Sequence, residues 1–195
     1  SKLNPRGDEN ERLFHYQMRN TAIDVLIPGV GMVQTAFHLG SLLSRVKYHF
    51  AITAGIGASY SEDLKIGDVV QIREECISEM GAEDGESFVS VFELGLIDPD
   101  SYPYRAGRLV NDIPVKSKII SKLRKVKGAT ANTIHGNLES INKFKSYLQS
   151  EEESMEGAAC FYAFLSERSP FAEIRAISNF VETRDKTGWN LELAL

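Results

Sequence analysis

The sequence contains little cysteine and no long apolar run. Its only two cysteines, Cys76 and Cys160, stand far apart without metal-ligand spacing, which favours a reducing compartment and a packing role for both. No apolar stretch reaches the ~18 residues that would span a bilayer, and the polar first ten residues lack the apolar core of a signal peptide. We therefore expect a cytoplasmic protein with no bound metal and no membrane partner.

The chain also lacks an excess of positive charge. It has 22 Lys and Arg against 27 Asp and Glu, a net charge of −5, so we expect no nucleic-acid partner held by bulk charge. Hydrophobic residues make up 43% and charged residues 25%, values typical of a soluble globular protein. At 195 residues the chain is expected to form one domain over 1–195.

Short apolar runs alternate with helical patterns along the chain. Strands are predicted at 12–18, 23–28, 50–54, 69–72, 129–134 and 172–178. Helices are predicted after Gly31 with Val33, Ala36, Phe37 and Gly40 on one side, at 116–127, after the N-cap Asn137, and at 155–165. Residues 78–114 are interpreted as a long excursion over one edge. The alternation predicts a three-layer α/β/α sandwich around a mixed, largely parallel sheet.

Two glycine pairs each follow a predicted strand, at Gly29-Val30-Gly31 and Gly55-Ile56-Gly57. Neither continues into a dinucleotide-binding motif, because Gln34 and Tyr60 occupy the positions of the third glycine. Nicotinamide binding is therefore disfavoured, and no cofactor is expected. Two interpretations stay open, since such turns serve either close packing or close approach to a ribose or phosphate.

Polar residues mark the ends of several predicted elements, where ligands gather in α/β sheets. Glu156 lies at the start of a helix that otherwise looks buried, next to an acidic run, 151–153, interpreted as solvated. Taken alone, Glu156 is explained by compensation of the helix dipole. Likewise, Asn179 and His135 are explained by hydrogen bonds within their own loops.

Six segments, taken together and in order, carry a resemblance that spans 24–195. They are 24–32, Ala54-Gly55-Ile56-Gly57 with 65–70, 81–85, Thr133-Ile134-His135-Gly136-Asn137, Ser154-Met155-Glu156-Gly157-Ala158-Ala159, and Arg175-Ala176-Ile177-Ser178-Asn179. In these segments the chain resembles the nucleoside phosphorylase and nucleosidase superfamily, and in particular the bacterial futalosine hydrolases of menaquinone biosynthesis. The resemblance implies a homodimer or higher homo-oligomer that binds a nucleoside and water.

The implied activity is hydrolysis of the N-glycosidic bond of futalosine, which yields hypoxanthine and dehypoxanthine futalosine. Such a reaction passes through a ribosyl cation, so the enzyme has to stabilise positive charge on the sugar and improve the purine as a leaving group. By resemblance, Glu156 is the catalytic carboxylate that holds the ribose hydroxyls, and Met155 packs on the sugar. An ionised carboxylate suits this role because it accepts from both hydroxyls.

By resemblance, Asn179 is the second catalytic residue, beside the base. Related methylthioadenosine nucleosidases carry Asp at this position. Adenine offers an amino donor beside N7, whereas hypoxanthine offers two acceptors, O6 and N7, toward which an amide NH2 can donate. Asn179 therefore favours a 6-oxopurine, since a mismatched buried donor costs ~1–3 kcal/mol.

The remaining substrate contacts are also implied by the resemblance. His135-Gly136 corresponds to the base-flanking loop, Phe180 or Phe88 is a candidate for stacking on the base, and Gly55 and Gly57 would approach the substrate. Arg105 and Arg184 are candidates, from charge alone, for binding the benzoate of futalosine.

Phosphorylases of the superfamily carry an arginine just before the second glycine pair, where this chain has neutral Ile52 and Thr53. Water is thus the favoured nucleophile. The family's first strand and water-activating acidic residue, and the end of its C-terminal helix, are expected to lie outside this chain. Alternatives that stay open are another purine nucleosidase, a 6-oxopurine nucleoside phosphorylase, and an inactive nucleoside-binding module.

Overall fold

The strands and helices are described here from a computed structural model, which covers residues 12–85, 87–183 and 190–194. In chain order they are β1 Leu13–Met18, β2 Thr21–Leu26, α1 Met32–Leu43, β3 Ala51–Ser59, β4 Val69–Glu75, β5 Gly81–Asp84, β6 Ser87–Ser90, β7 Tyr104–Arg105, β8 Arg108–Val110, β9 Arg124–Thr130, α2 Leu138–Leu148, β10 Glu152–Ser154, α3 Gly157–Ser166, β11 Phe171–Phe180 and α4 Leu191–Ala194. None of the helices in this described part has the length and apolar character needed to cross a membrane.

The main sheet closes on itself. Its strand order is β11-β3-β10-β9-β4-β8-β7, and β11 also pairs with β4, so five strands form a small barrel from which β8 and β7 extend. Three pairings are parallel (β11–β3, β10–β9 and β4–β9), and the other four are antiparallel. The predicted mixed sheet is confirmed. The sheet is not largely parallel as predicted, since four of its seven pairings are antiparallel, and it forms a small barrel because β11 pairs along both of its edges.

Strand β3 runs through both glycines that were predicted to form a loop. Gly55 and Gly57 lie inside the strand, paired with β11. A Cβ at Gly55 would come within 2.6 Å of Arg175 Nη1, and one at Gly57 would overlap a carboxylate oxygen of Glu152. The two glycines therefore leave room for charged side chains on neighbouring strands, and the loop prediction is wrong.

Helix α1 buries a different face from the predicted one. Val33 and Phe37 are 80% and 69% exposed, whereas the buried residues are Thr35, Leu39, Leu42 and Leu43. This second face packs with α3 and the barrel strands around Phe161 and Phe171. The helix has apolar residues on two faces, and contact with α3 selects one of them.

The helix predicted at 116–127 is also wrong. A short 3-10 turn, Ile120–Lys122, leads into β9, so the strand predicted from residue 129 begins at Arg124. Val126 is buried and Lys127 exposed, the alternation of a strand. The following helix is confirmed, since Asn137 Oδ1 accepts from the backbone N–H of Glu139 at 2.8 Å and caps α2.

Two hairpins lie outside the main sheet. The first pairs β1 with β2, and its second strand is only half buried, so the buried strand predicted at 23–28 is corrected. The second pairs β5 with β6 inside the excursion predicted at 78–114, which returns to the barrel where β8 pairs with β4. The strands predicted at 69–72 and 172–178 are confirmed as β4 and β11, and the helix at 155–165 as α3.

Candidate active site

A cleft opens where the parallel strands β3 and β11 end. It encloses about 320 Å³, including the solvent at its mouth. Its lining consists of Ala58, Ile134, His135, Gly136, Glu153, Asn179, Phe180, Val181, Glu182 and Thr183. Four residues predicted to contact the base, His135, Gly136, Asn179 and Phe180, are thus brought together.

A β-bulge directs Asn179 toward this cleft. The pairing of β11 with β3 shifts register between Ile177 and Asn179, so Ser178 and Asn179 are both buried. The side chain is oriented by two neighbours: Asn179 Oδ1 lies 2.8 Å from Ser178 Oγ, and Asn179 Nδ2 donates to Phe180 O at 2.9 Å. An amide held in this way presents its NH2 group in a fixed direction.

His135 is anchored in the same cleft by a buried carboxylate. Its Nδ1 lies 2.7 Å from Glu153 Oε2, the oxygen that also accepts from Tyr60 OH. Both members of the ion pair are nearly inaccessible, with side chains 4% and 5% exposed. The hydrogen bond to Glu153 outweighs the effect of burial and raises the pKa of His135. Burial, together with the charge of Glu153, raises the pKa of Tyr60 far above its ordinary value, so Tyr60 is a neutral donor.

Glu156 links the N-termini of two helices. It occupies the N-cap position of α3, but its Oε1 accepts from the backbone N–H of Gly31, the N-cap residue of α1, at 3.0 Å. Its Oε2 lies 3.5 Å from Arg175 Nη1. The side chain is 22% exposed, so a ligand can reach it. A helix N-terminus and a guanidinium thus place positive charge on two sides of this carboxyl group.

Arg175 lies in an acidic cluster inside the barrel, beside Glu75, Glu152 and Glu173, all fully buried. Its Nε donates to Glu173 Oε1 at 2.8 Å, and its Nη1 donates to Ile56 O at 3.2 Å. Burial raises the pKa of all three carboxyl groups. In the described part of the chain, no group of three or more His, Cys, Asp or Glu side chains is arranged to hold a metal ion.

Strand β11 carries both Arg175, which faces Glu156, and Asn179, which lines the cleft. Arg175 and Asn179 are four residues apart on it, a separation of ~13 Å at the usual strand rise. The residues that line the cleft include neither Glu156 nor Met155, and Gly55 and Gly57 face the acidic cluster instead. The predicted residues therefore form two neighbouring groups rather than one.

The two arginines proposed for the benzoate are located differently. Arg105 lies on β7, where its Nη2 forms an ion pair with Asp112 Oδ2 at 2.5 Å, and it does not line the cleft. Arg184 lies outside the described residues. Phe88, the alternative stacking residue, packs against Phe144 and Tyr147.

Sequence reasoning missed Glu153, Tyr60 and Arg175. The acidic run 151–153 was interpreted as solvated, but Glu152 and Glu153 are buried in β10, between β3 and β9. A three-residue strand is too short to show an alternating pattern. The sequence offered one indication that residues 151–153 belong to the site: they directly precede Ser154-Met155-Glu156.

Comparison with known proteins identifies distant relatives. No protein-family model matches the chain. It is 25% identical over 184 residues to the futalosine hydrolase of Thermus thermophilus, covering 91% of this chain and 78% of the relative. It is 22% identical over 182 residues to a 5'-methylthioadenosine/S-adenosylhomocysteine nucleosidase of Haemophilus ducreyi, covering 88% and 73%.

Known structures agree on the fold. The 5'-methylthioadenosine/S-adenosylhomocysteine nucleosidase of Neisseria meningitidis, in complex with methylthio-immucillin-A, matches with a TM-score of 0.76 at 15% identity, over 98% of this chain and 84% of that one. The futalosine hydrolase of Helicobacter pylori matches with a TM-score of 0.75 at 15% identity, over 98% and 81%. The chain thus has the α/β fold of the nucleoside phosphorylase and nucleosidase superfamily, with a mixed sheet.

Proposed function

We propose that this chain is a purine nucleosidase that hydrolyses futalosine to hypoxanthine and dehypoxanthine futalosine. The observation that carries the proposal is the relative placement of two side chains along β11. Asn179, a fixed neutral amide, lies in the cleft, and Arg175, on the same strand, faces the partly exposed carboxylate of Glu156. A nucleoside has a base and a sugar to bind, and the two groups of residues match these two parts. The relationship to futalosine hydrolases supports the choice of substrate.

Glu156 is proposed to bind the ribose. Cleavage of the C–N bond leaves positive charge on the sugar, and an anion that accepts from the ribose hydroxyls stabilises this charge more strongly in the transition state than in the ground state. The backbone N–H of Gly31 and the guanidinium of Arg175 hold the carboxylate before the substrate arrives. Preorganisation of this kind removes the cost of orienting the charge during the reaction.

Asn179 is proposed to bind the base. Its Nδ2 already donates one hydrogen to Phe180 O, and the second N–H can donate toward O6 or N7 of hypoxanthine. Phe180, which lines the same cleft, is the candidate stacking residue. Asn179 Oδ1 already accepts from Ser178 Oγ, so the free N–H of Nδ2 is the group left for the base. The two acceptors of a 6-oxopurine suit this donor better than the amino group of adenine does.

Two rival activities differ in their products. A methylthioadenosine nucleosidase, which the relative in Haemophilus ducreyi suggests, would release adenine. A 6-oxopurine nucleoside phosphorylase would release hypoxanthine only with phosphate and form ribose 1-phosphate. An inactive nucleoside-binding module would bind hypoxanthine without turnover.

The experiment incubates the full-length protein with futalosine, inosine and methylthioadenosine, with and without phosphate, and follows base release by chromatography. We expect hypoxanthine from futalosine only, at a rate that phosphate does not change. Adenine release, a phosphate requirement, or binding without release would each replace the proposed function by the corresponding rival.

Two variants test the site. Glu156→Gln removes the negative charge and should lower kcat by about 100-fold or more, whereas Glu62→Gln, an exposed residue before β4, should leave the rate unchanged. Asn179→Asp should lower kcat/KM for futalosine by about 5- to 150-fold, the equivalent of one mismatched buried donor. Wild-type rates in both site variants would remove the site assignment.

A further inference from the structure

The proposed reaction needs a proton that Asn179 cannot supply. When the C–N bond breaks, its electron pair remains on the purine, and protonation of the base makes it a far better leaving group. A carboxyl group at position 179 could deliver that proton, but an amide only donates a hydrogen bond and keeps its hydrogen. We therefore look for the proton donor among the other titratable side chains of the cleft.

Among the residues that the structure describes, three titratable side chains line the cleft: His135, Glu153 and Glu182. Glu153 already accepts from both His135 and Tyr60, which makes it a fixed acceptor rather than an acid. Glu182 follows the end of β11 and is exposed, so water surrounds its carboxylate. His135 is buried and oriented by Glu153, and of the three it is the group able to carry a transferable proton near neutral pH.

We infer, on the basis of the proposed function, that His135 is the general acid that protonates the departing purine, and that Glu153 and Tyr60 are positioning residues for it. With Nδ1 bound to Glu153 at 2.7 Å, the proton for the purine is the one on Nε2. The arrangement of imidazole, buried carboxylate and tyrosine hydroxyl fixes both the ring orientation and its protonated state.

The step balances without a further reactant. The bond between C1' and N9 breaks, its electron pair stays on the purine, and N7 takes the proton from Nε2 of His135. The oxygen of a water molecule bonds to C1' and releases one proton to solvent. His135 then regains a proton from solvent, so the sum is futalosine plus water giving hypoxanthine and the sugar product.

The groups around His135 define its response to pH. Glu153 faces it from β10, Phe144 of α2 packs on its ring at 4.4 Å, and the charge of Glu79 acts on it from the loop after β4. The two carboxylates raise the pKa of His135. The acid form is therefore present below that raised pKa, and activity should be lost as pH rises through it.

The test is the pH profile of kcat for hypoxanthine release from futalosine by the full chain. We expect H135Q to lower kcat by about 100-fold or more and to remove the alkaline loss. We expect E153Q, which keeps a hydrogen-bonding partner but not the charge, to move the alkaline loss to lower pH. The exposed His49→Gln should reproduce the wild-type profile.

The outcomes separate this inference from the proposed function. Hypoxanthine release by the wild-type protein, with an unchanged profile in H135Q or in E153Q, would overturn the role of His135 alone. Should H135Q fail to fold, E153Q still decides, because a structural role of Glu153 would change the amount of folded protein and not the position of the alkaline loss. Lack of hypoxanthine release by the wild-type protein would overturn the proposed function, and this role with it.

Discussion

The substitution Gly57→Ala tests whether the barrel interior depends on glycine to accommodate the buried carboxylates. Gly57 lies in β3, and a Cβ there would overlap Glu152 Oε1. The added Cβ would also come within 2.8 Å of Glu152 Cδ and 3.0 Å of its Cγ, so a movement of the carboxylate oxygen alone would not relieve the overlap. The added methyl group therefore forces a shift of a side chain that is fully buried.

The expected cost follows from two opposing effects. Overpacking a buried site costs ~1–3 kcal/mol, and replacement of glycine by alanine recovers ~0.4–1 kcal/mol through the unfolded chain. Because more than the end of a fully buried side chain has to move, we expect the upper part of the range and a net loss of about 2 kcal/mol. For a chain of this size that corresponds to a decrease in Tm of roughly 4–8 °C.

The assay is urea unfolding followed by circular dichroism, applied to a double-mutant cycle with Glu152→Ala. Once the carboxylate is removed, Gly57→Ala should cost less than about 0.5 kcal/mol. Gly40→Ala is the matched control, since Gly40 lies in α1 with no atom within 4 Å of its Cβ position, and it should gain roughly 0.5–1 kcal/mol. Equal costs of Gly57→Ala in both backgrounds would refute the reasoning.

Three further predictions concern stability and reactivity. Burial raises the pKa of Glu152 well above its ordinary value of 4.5, so the native state favours its protonated form and loses stability as pH rises from 4.5 through that raised pKa; Glu152→Gln should make this loss in urea unfolding less steep, and an unchanged slope would contradict this. Asn137→Ala removes the cap of α2 and should cost about 1 kcal/mol, whereas no measurable loss would contradict the capping role. Cys160 is buried, which raises its pKa to about 12, so thiol reagents at pH 8 should modify it only after unfolding; rapid labelling of native protein would be contradictory.

Elements with strong local patterns were predictable from the sequence. Helix α2 combines an N-cap with apolar residues at helical spacing, and both features act within a few residues. Strand β9 was not predictable as a whole, because its first residues are basic and adopt extended backbone through pairing with β4 and β10. That pairing joins segments far apart in the chain, which a local pattern does not record.

The residues proposed to contact the base were easier to predict from the sequence than the buried acidic residues next to them. His135 and Asn179 end or follow strands, where ligands of α/β folds gather, and both line the cleft. The acidic residues 152 and 153 instead form part of a charged run, which is usually solvated. Glu152 fits inside the closed barrel because the glycines at positions 57 and 128 leave space for its carboxylate, and barrel closure depends on the whole topology.

The most direct test of the account is a crystal structure of the full-length protein with hypoxanthine. The account predicts that the purine lies in the cleft at the end of β11, with O6 or N7 at ~2.7–3.2 Å from Asn179 Nδ2. Hypoxanthine bound away from Asn179 would contradict the central claim. So would hypoxanthine bound at Asn179 with N9, the atom that carries the ribose in the nucleoside, directed away from Glu156.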